Sequence, residues 1–377
     1  MQSGRRTKFC SPCLVNALLA ISCFYVHVSQ REHLSEPSSS RALQFYNEAK
    51  TLLDQEEGQV TLPSVQARCA IYLCAYGMGK QMLTWQYFSE LTAIAKELTV
   101  RQETIVARAG DAAHEMVRAL DRTIVGLFSL TSFTETVSLK QTLMLKPKFA
   151  LLPEDHEVSD TWWPYPSTFT VATKRVHVHT NCVTNALFEL QLIEWDFMSH
   201  CAVPHPRLPS PPTDPTTNIF LDRFRGWVLQ LPTCIGLKAD PTIPAIVDLQ
   251  YHIAILSVFG RRGAVNQQNT NIESTLSDNN KDICRTSAHE VCRLINAYHS
   301  QWPIDSLPVT YIHYISVALL TLLDLVPEAK NTDPFIDLAM ALRALGRRWQ
   351  MAKANIRLIL SRADFQGPSS AGKLSGS

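Results

Sequence analysis

The sequence predicts an all-α fold, an irregular array of many helices, and three observations predict it. Apolar residues recur at spacings of three and four along most of the chain, the period of a helix with one buried face. Prolines gather between these stretches, where they open helices or forbid them. Strand signals are few: a run such as 167–171 could extend, but no set of alternating segments builds a sheet, and no fixed-period repeat is found.

The elements follow in order. Ser11-Pro12 opens an apolar helix over 10–26. A second helix is expected over 40–55, with Leu43, Tyr46, Ala49, Leu52 and Leu53 on one face. Pro63 sits where a first-turn proline is tolerated, and its helix ends near Gly77 and Gly79. The next helix carries Leu83, Tyr87, Leu91, Ile94 and Leu98, and another long one is expected over 104–137. The texture then changes. Residues 146–169 hold four prolines and two tryptophans, the composition of an irregular surface loop. A long helix follows over 180–200, with Leu187, Leu190, Ile193 and Phe197 facing inward.

The segment 203–218, VPHPRLPSPPTDPTTN, is the clearest breaker, its six prolines excluding helix and ladder alike. Beyond it, helices are expected over 218–231, 246–258, 282–300, 309–325 and 335–360, with a flexible polar loop at 266–281. The expected organisation is a first helical half at 1–202, a proline-rich loop or linker at 203–217, a second helical half at 218–362 and a disordered tail at 363–377.

Composition bounds the function. The chain has 377 residues, 46% of them hydrophobic, and a mean hydropathy close to zero, as a globular protein does. Its 35 basic and 34 acidic residues leave a net charge of +1, which gives no broad footprint for a phosphate backbone. Ten cysteines sit mostly within apolar helical patterns and no Asn-x-Ser/Thr sequon occurs, which suits a reducing interior compartment. Arg5, Arg6 and Lys8 ahead of the apolar run 14–26 imitate a signal peptide. Asn16 interrupts that run, no small-x-small site follows, and it is too short to span a bilayer. The reading is a buried first helix and no membrane association.

Chemical motifs are near misses. His114-Glu115 and His289-Glu290 each precede an arginine, Arg118 and Arg293, where a zinc protease helix needs its second histidine; both read as exposed helix surface. His177, His179 and Cys182 lack a further ligand at a recognisable spacing and read as a helix N-terminus. Cys10-x-x-Cys13 has neither a βαβ context nor a second pair, and Cys13 is expected to pack on the first helix. Gly77, Gly79 and Lys80 lack the strand and spacing of a phosphate loop. No G-x-S-x-G elbow or paired-aspartate cluster occurs; Asp54, Asp111, Asp121, Asp324 and Asp337 stand alone. Arg261-Arg262 and Arg347-Arg348-Trp349 read as solvated helix ends, with Trp349 packed beneath. No catalytic, metal or cofactor residue is assigned, and the chain reads as a non-enzyme.

Several separated matches carry a resemblance. Residues 9–20, FCSPCLVNALLA, resemble the opening helix of the regulatory (middle homology) domain of fungal zinc-cluster transcription factors. Phe45-Tyr46 with Glu48, Ala49 and Lys50 resembles that family's second helix, Val65-Gln66-Ala67 the start of its third, and Gly79, Trp85 and Tyr87 the turn and helix beyond. Ala93, Ala95 and Leu98 fall where the family places a small-residue packing stripe. Arg122-Thr123 with Gly126-Leu127-Phe128, then Trp227 with Leu231-Pro232, then Leu249-Gln250-Tyr251-His252 continue the pattern in order. Cys284, Ala288, Trp349 and Ala352 resemble its distal part. Departures are Leu98-Thr99-Val100 in place of Leu-Gly-Leu and Leu145-Lys146-Pro147 in place of Gly-Arg-Pro.

The family's six-cysteine binuclear zinc cluster has no counterpart here, since only Cys10 and Cys13 are close together. The chain is therefore expected to be a regulatory domain whose zinc cluster was lost, lies upstream, or is supplied by a partner. Zinc enters only if an upstream six-cysteine cluster exists. The resemblance implies a nuclear transcriptional regulator of a metabolic or secondary-metabolite gene cluster. It would act through a protein partner or a homodimer, or respond to a small-molecule effector, and reach DNA only indirectly or through the absent module. Trp162, Trp163 and Tyr165 are the expected partner-contact surface, because exposed aromatics anchor interfaces; the plainer reading is that the tryptophans cap the core under a long loop. The alternatives are an all-α biosynthetic enzyme, or a degenerate non-functional paralogue.

Overall fold

The computed structural model describes residues 7–26, 38–56, 60–138, 146, 151–155, 161–162, 176–202, 215–235, 244–269, 278–324 and 332–366. The fold is all-α, and its only ladder among the described residues is two residues long on each strand. The chain groups into two compact units, Met1–Phe149 with Arg347–Met351, and Ala150–Gly346 with Ala352–Ser377. The expected linker at 203–217 lies inside the second unit, and its residues 203–214 are outside the described set.

The first unit is an all-helical stack. Helix α1 (Pro12–Cys23) starts at Ser11, whose hydroxyl accepts from the Leu14 amide, with Pro12 at the first position. Cys13, Leu14, Ala17 and Ala20 are buried, and α1 packs against α2 (Ser38–Gln55) and α3 (Leu62–Gly77). The signal-like run is thus a packed helix. In α2 the inner face is Ala42, Tyr46, Ala49 and Leu53, while Leu43, expected on that face, lies about a quarter turn from it and is exposed.

Helix α3 is bounded by local chemistry at both ends. Thr61 and Ser64 form a reciprocal capping box, side chain to amide in each direction. At the other end Gly79 takes φ +70°, the Gly79 amide bonds to the Tyr76 carbonyl at 2.9 Å and the Lys80 amide to Ala75 at 3.0 Å. This Schellman pattern satisfies the last carbonyls and explains Gly79 without a phosphate.

Helix α4 (Gln81–Ala109) runs further than its periodicity suggested, and α5 (Ala113–Ser138) begins only after a 3₁₀ turn at Gly110–Ala112. Nothing in 99–109 breaks a helix; Gly110, at φ +57°, does. The boundary expected at 104 therefore moves to 110. Of the expected packing stripe, Ala95 and Leu98 are buried and Ala93 is exposed. Between α3 and α5, Gln66 donates to Thr123 at 3.0 Å, and the Tyr72 and Thr134 hydroxyls meet at 2.6 Å in the core.

This unit is closed by residues 347–351. Trp349 is fully buried, stacked on Phe24 with ring centroids 4.6 Å apart and met edge-on by Tyr25. Arg348 is not solvated, contrary to expectation: its guanidinium donates to the Phe24 carbonyl at 2.6 Å and the Val26 carbonyl at 3.3 Å. It satisfies acceptors that the end of α1 leaves open.

The second unit comprises α6 (Thr180–Ala202), α7 (Pro215–Gln230), α8 (Pro244–Asn269), α9 (Asp278–Gln301), α10 (Tyr311–Asp324), α11 (Thr332–Leu345) and most of α12 (Gln350–Gln366). The apolar α10 packs on α8, α9 and α11, with Ile312, Ile315, Ala318, Leu319 and Leu322 fully buried. Helix α6 packs on α7 and α8, and Trp227 of α7 donates its indole N–H to the Ala186 carbonyl at 3.0 Å. Two helix limits depart from the sequence reading. The polar loop expected at 266–281 is helical at 266–269 and 278–281, where Asn, Gln and Lys extend α8 and open α9. The single helix expected over 335–360 is two, because the chain turns at Gly346, where an added Cβ would lie 3.0 Å from the Arg343 carbonyl oxygen. Helix α12 continues to Gln366, into the expected tail; residues 367–377 lie outside the described set.

Two glycines give opposite predictions. Gly79→Ala places a Cβ at φ +70° and is expected to destabilise by about 1 kcal/mol. Gly226→Ala, in open space inside α7, is expected to stabilise by roughly 0.5–1 kcal/mol. Differential scanning calorimetry of the two variants checks both signs.

Candidate functional site

The sequence placed a contact surface on Trp162, Trp163 and Tyr165. Trp162 lies on β1 (Thr161–Trp162), which pairs antiparallel with β2 (Val176–His177), Trp162 opposite Val176 and Thr161 opposite His177. Trp163 and Tyr165 lie outside the described residues. What the structure supplies is the base from which this segment departs and to which it returns.

That base is a strap, residues 151–155, fixed to the first turns of α6. His179 holds a left-handed φ of 42°, and its carbonyl accepts the first helical bond from Val183 at 2.9 Å, so it occupies the N-cap position. A histidine there cannot reach the first amides as serine or aspartate does. Asp155 does so from 24 residues earlier: its carboxylate accepts from the Asn181 amide at 3.0 Å and the Cys182 amide at 3.1 Å. The ring Nδ1 of His179 lies 3.1 Å from the Asp155 carbonyl oxygen. One turn on, the Asn185 amide pairs with both backbone groups of Leu152 at 2.9 Å, as a neighbouring strand would, and Asn181 donates to the Pro153 carbonyl at 2.9 Å. His179 is thus half-buried and engaged, rather than an exposed imidazole.

Electrostatics agree with this geometry. Burial raises the Asp155 carboxyl, but bonding to the Cys182 thiol and to the amides of Asn181 and Cys182 outweighs it, and the group lies below its ordinary range. Cys182 is pushed up to about 12 by burial first, then by its bond to Asp155.

A second polar group lies between α8 and α9. Asp248 and His252, one turn apart on α8, meet Ser287, Glu290 and Arg293 of α9, and His252 Nδ1 is 3.4 Å from the Ser287 hydroxyl. Burial brings His252 down to about 4, opposed by the Glu290 charge. Burial lifts Asp248 to about 6, with Arg293 opposing and Glu290 reinforcing. At neutral pH the imidazole is therefore neutral and the carboxylate charged. Gln250, between them, donates to the Tyr314 hydroxyl on α10 at 2.5 Å.

The motif near misses settle into the helices. His114, Glu115 and Arg118 are exposed; His289 is half-buried, and Arg293 pairs with Glu290 at 2.7 Å. Cys10 is exposed, whereas Cys13 is buried and donates to the Ala49 carbonyl at 3.4 Å. Among the described residues no three His, Cys, Asp or Glu side chains converge to hold a metal, and no helix is long and apolar enough to cross a membrane. The side chains of Arg261 and Arg262 lie outside the described set. Sequence reasoning missed Asp155, Asn181 and Asn185. The one visible signal was the pair of asparagines a turn apart at the start of a helix, where amides compete poorly with helical bonding.

The class of protein that this chain is similar to is the fungal transcriptional activator. It is 28% identical over 374 residues to the Notoamide biosynthesis transcriptional activator notL' of Aspergillus versicolor, a match covering 95% of this chain and 58% of that protein. It is 22% identical over 372 residues to the Nitrogen assimilation transcription factor nit-4 of Neurospora crassa, covering 94% of this chain and 33% of that protein. The chain thus spans little more than half of one relative and a third of the other. No family model matches it, and no solved structure does.

Two predictions follow from the ionisable groups. Asp155→Ala is expected to lower stability by about 1 kcal/mol, with Asp155→Asn, which keeps one acceptor oxygen of the two, retaining only part of it. Because the folded pKa is depressed, this contribution is present above the ordinary carboxylate pKa near 4 and disappears as pH falls through the folded value. Thermal melts of wild type and variant should therefore converge as the pH falls below the ordinary carboxylate range. Asp248→Asn has the opposite profile. The raised folded pKa means the wild type loses stability as pH rises through about 6. The variant should be more stable by about 1–2 kcal/mol at pH 8, after allowance for solvent screening, with the gain shrinking to nothing near pH 4. Urea titrations at both pH values measure it.

Proposed function

We propose that this chain is the regulatory domain of a fungal transcriptional regulator, acting in the nucleus on a metabolic or secondary-metabolite gene set. One observation carries this: alignment over 95% of the chain to a transcriptional activator of a biosynthetic pathway, within an all-α fold. The second relative, a nitrogen-assimilation factor, aligns over nearly the same span and supports regulation rather than catalysis.

The proposed mechanism is recognition by packing. Trp162, on a strand paired with Val176, together with Trp163 and Tyr165 anchors a protein partner or a second copy of the chain. A bound partner or effector shifts the balance between conformers to the extent that it prefers one of them. DNA is reached through a zinc-cluster module outside these 377 residues, upstream on the same transcript or on a partner protein. Mapping the 5′ end of the transcript distinguishes these two routes.

The test is a reporter assay in a filamentous fungus, with residues 1–377 fused to a heterologous DNA-binding domain. The expected result is a reporter level at least several-fold above or below that of the DNA-binding domain alone. The joint substitution Trp162→Ala, Trp163→Ala, Tyr165→Ala should return it toward baseline with the fusion still expressed and folded. A well-expressed fusion that leaves the reporter unchanged overturns the regulatory reading; a triple variant with full effect overturns the contact surface alone.

A further inference from the structure

The capped end of α6 also gathers two thiols. Cys182, in the first turn, is only 1% exposed, whereas Cys234, in the turn that follows α7, is half-buried. Their side chains are hydrogen-bonded to one another, and the Cys182 thiol is bonded to the Asp155 carboxylate as well. Both sulfurs sit on anchored backbone. The indole of Trp227 ties α7 to Ala186, one turn along α6 from Cys182. Beyond α7 the chain turns tightly, with the Ile235 amide on the Pro232 carbonyl at 3.1 Å and Ile235 fully buried beside Cys234. Two thiols in hydrogen-bonding contact on packed elements are neighbours of the kind a disulfide requires.

We propose that Cys182 and Cys234 are a redox modification site, forming a reversible disulfide on exposure to hydrogen peroxide and thereby loosening the Asp155 strap. The steps balance. The Cys234 sulfur, the less covered of the two, attacks a peroxide oxygen; the O–O bond breaks, one oxygen leaves as water and Cys234 becomes a sulfenic acid. The Cys182 sulfur then attacks the Cys234 sulfur, the S–O bond breaks, and the departing hydroxide takes the Cys182 proton as a second water. Two thiols have lost two electrons, and one peroxide has become two waters. A dithiol reductant reverses the change.

Burial holds both thiols above their ordinary range, so little thiolate exists at neutral pH and the first step is slow at low peroxide. The acidic side chains of Glu154 and Asp155 add to this at Cys234. The pair is therefore silent in a reducing compartment and responds to sustained oxidant. Its consequence is local. Once Cys182 has no S–H, Asp155 loses that donor and keeps only backbone amides, and the strap at 151–155 is held less tightly.

The test uses the purified full chain. It is treated with hydrogen peroxide, its remaining thiols are blocked with N-ethylmaleimide, and it is digested without reductant for mass spectrometry. The expected product is a peptide pair joined through Cys182 and Cys234, two hydrogens lighter than the free peptides, lost on dithiothreitol treatment and strongly reduced when the protein is unfolded before oxidation. Amide hydrogen exchange over 152–155 should be several-fold faster in the oxidised protein, and Cys234→Ser, checked for native helicity by circular dichroism, should abolish both changes. The proposal is overturned if Cys182 and Cys234 still carry the maleimide at a dose that oxidises the exposed Cys10, or if the linkage forms equally in the unfolded chain. It is also overturned if Cys234→Ser responds as the wild type does. These readouts are chemical and do not depend on transcriptional activity.

Discussion

Helix ends are the constraint on which this protein depends. A chain built almost wholly of helices must satisfy the first amides and last carbonyls of each, or leave polar groups stranded at the margins of apolar cores. Local residues do this for α1, where Ser11 accepts from Leu14, and for α3, where Thr61 and Ser64 cap one another and Gly79 closes the far end. Elsewhere the partner comes from far along the chain. Asp155 supplies the cap of α6, and Arg348 supplies donors to the carbonyls at 24 and 26 beyond α1, more than 300 residues away in sequence. The remote caps join segments that hydrophobic packing alone would leave free to slide.

This division explains what was legible in the sequence. The order of the helices followed from periodicity, although the one expected over 335–360 is two, and the limits of α3 followed from Pro63 and Gly79, because those signals act within one turn of the chain. The limits that moved were those where the breaker is quiet. Gly110 and Gly346 end their helices through backbone geometry, whereas Gly126 and Gly226 sit inside helices undisturbed. The residue type is the same in all four; Gly110 takes a positive φ and Gly346 is approached closely by the Arg343 carbonyl, and no local pattern encodes either. Arg348 reads as a surface charge for the same reason, since its acceptors belong to a helix at the other end of the sequence.

The site was legible only in part. The aromatic run 162–165 stands out by composition, and His179 by its place before a helix. His179 and the first amides of α6 are held by Asp155, which sits unremarked in a Pro-Glu-Asp-His stretch. An aspartate is a cap, a surface charge or a ligand according to what it faces, and spacing along the chain does not say which. The polar group between α8 and α9 has the same character. His252 was noticed in a helix pattern and Asp248 was not. Their opposed shifts, one down to about 4 and the other up to about 6, arise from α9 folding over both.

Burial that raises Asp248 makes folding less favourable above pH 6, and burial that lowers His252 makes it less favourable as the pH falls below the ordinary histidine value. The two effects run in opposite senses over nearly the same interval, from about 4 to 6.5, and so largely offset one another; at neutral pH the pair is a charged carboxylate beside Arg293 and a neutral imidazole on Ser287. The Asp155 cap does not share that interval. It draws on amides fixed by the helix itself and holds until strong acid protonates it. A change between about pH 4 and 6 therefore acts on the α8–α9 contact and leaves the α6 strap in place. Oxidation acts on the strap through Cys182 and leaves α8 and α9 alone. Two polar groups within one helical unit thus answer to different chemistry, because one is built on side chains that exchange protons in mild acid and the other on a carboxylate held below its ordinary range.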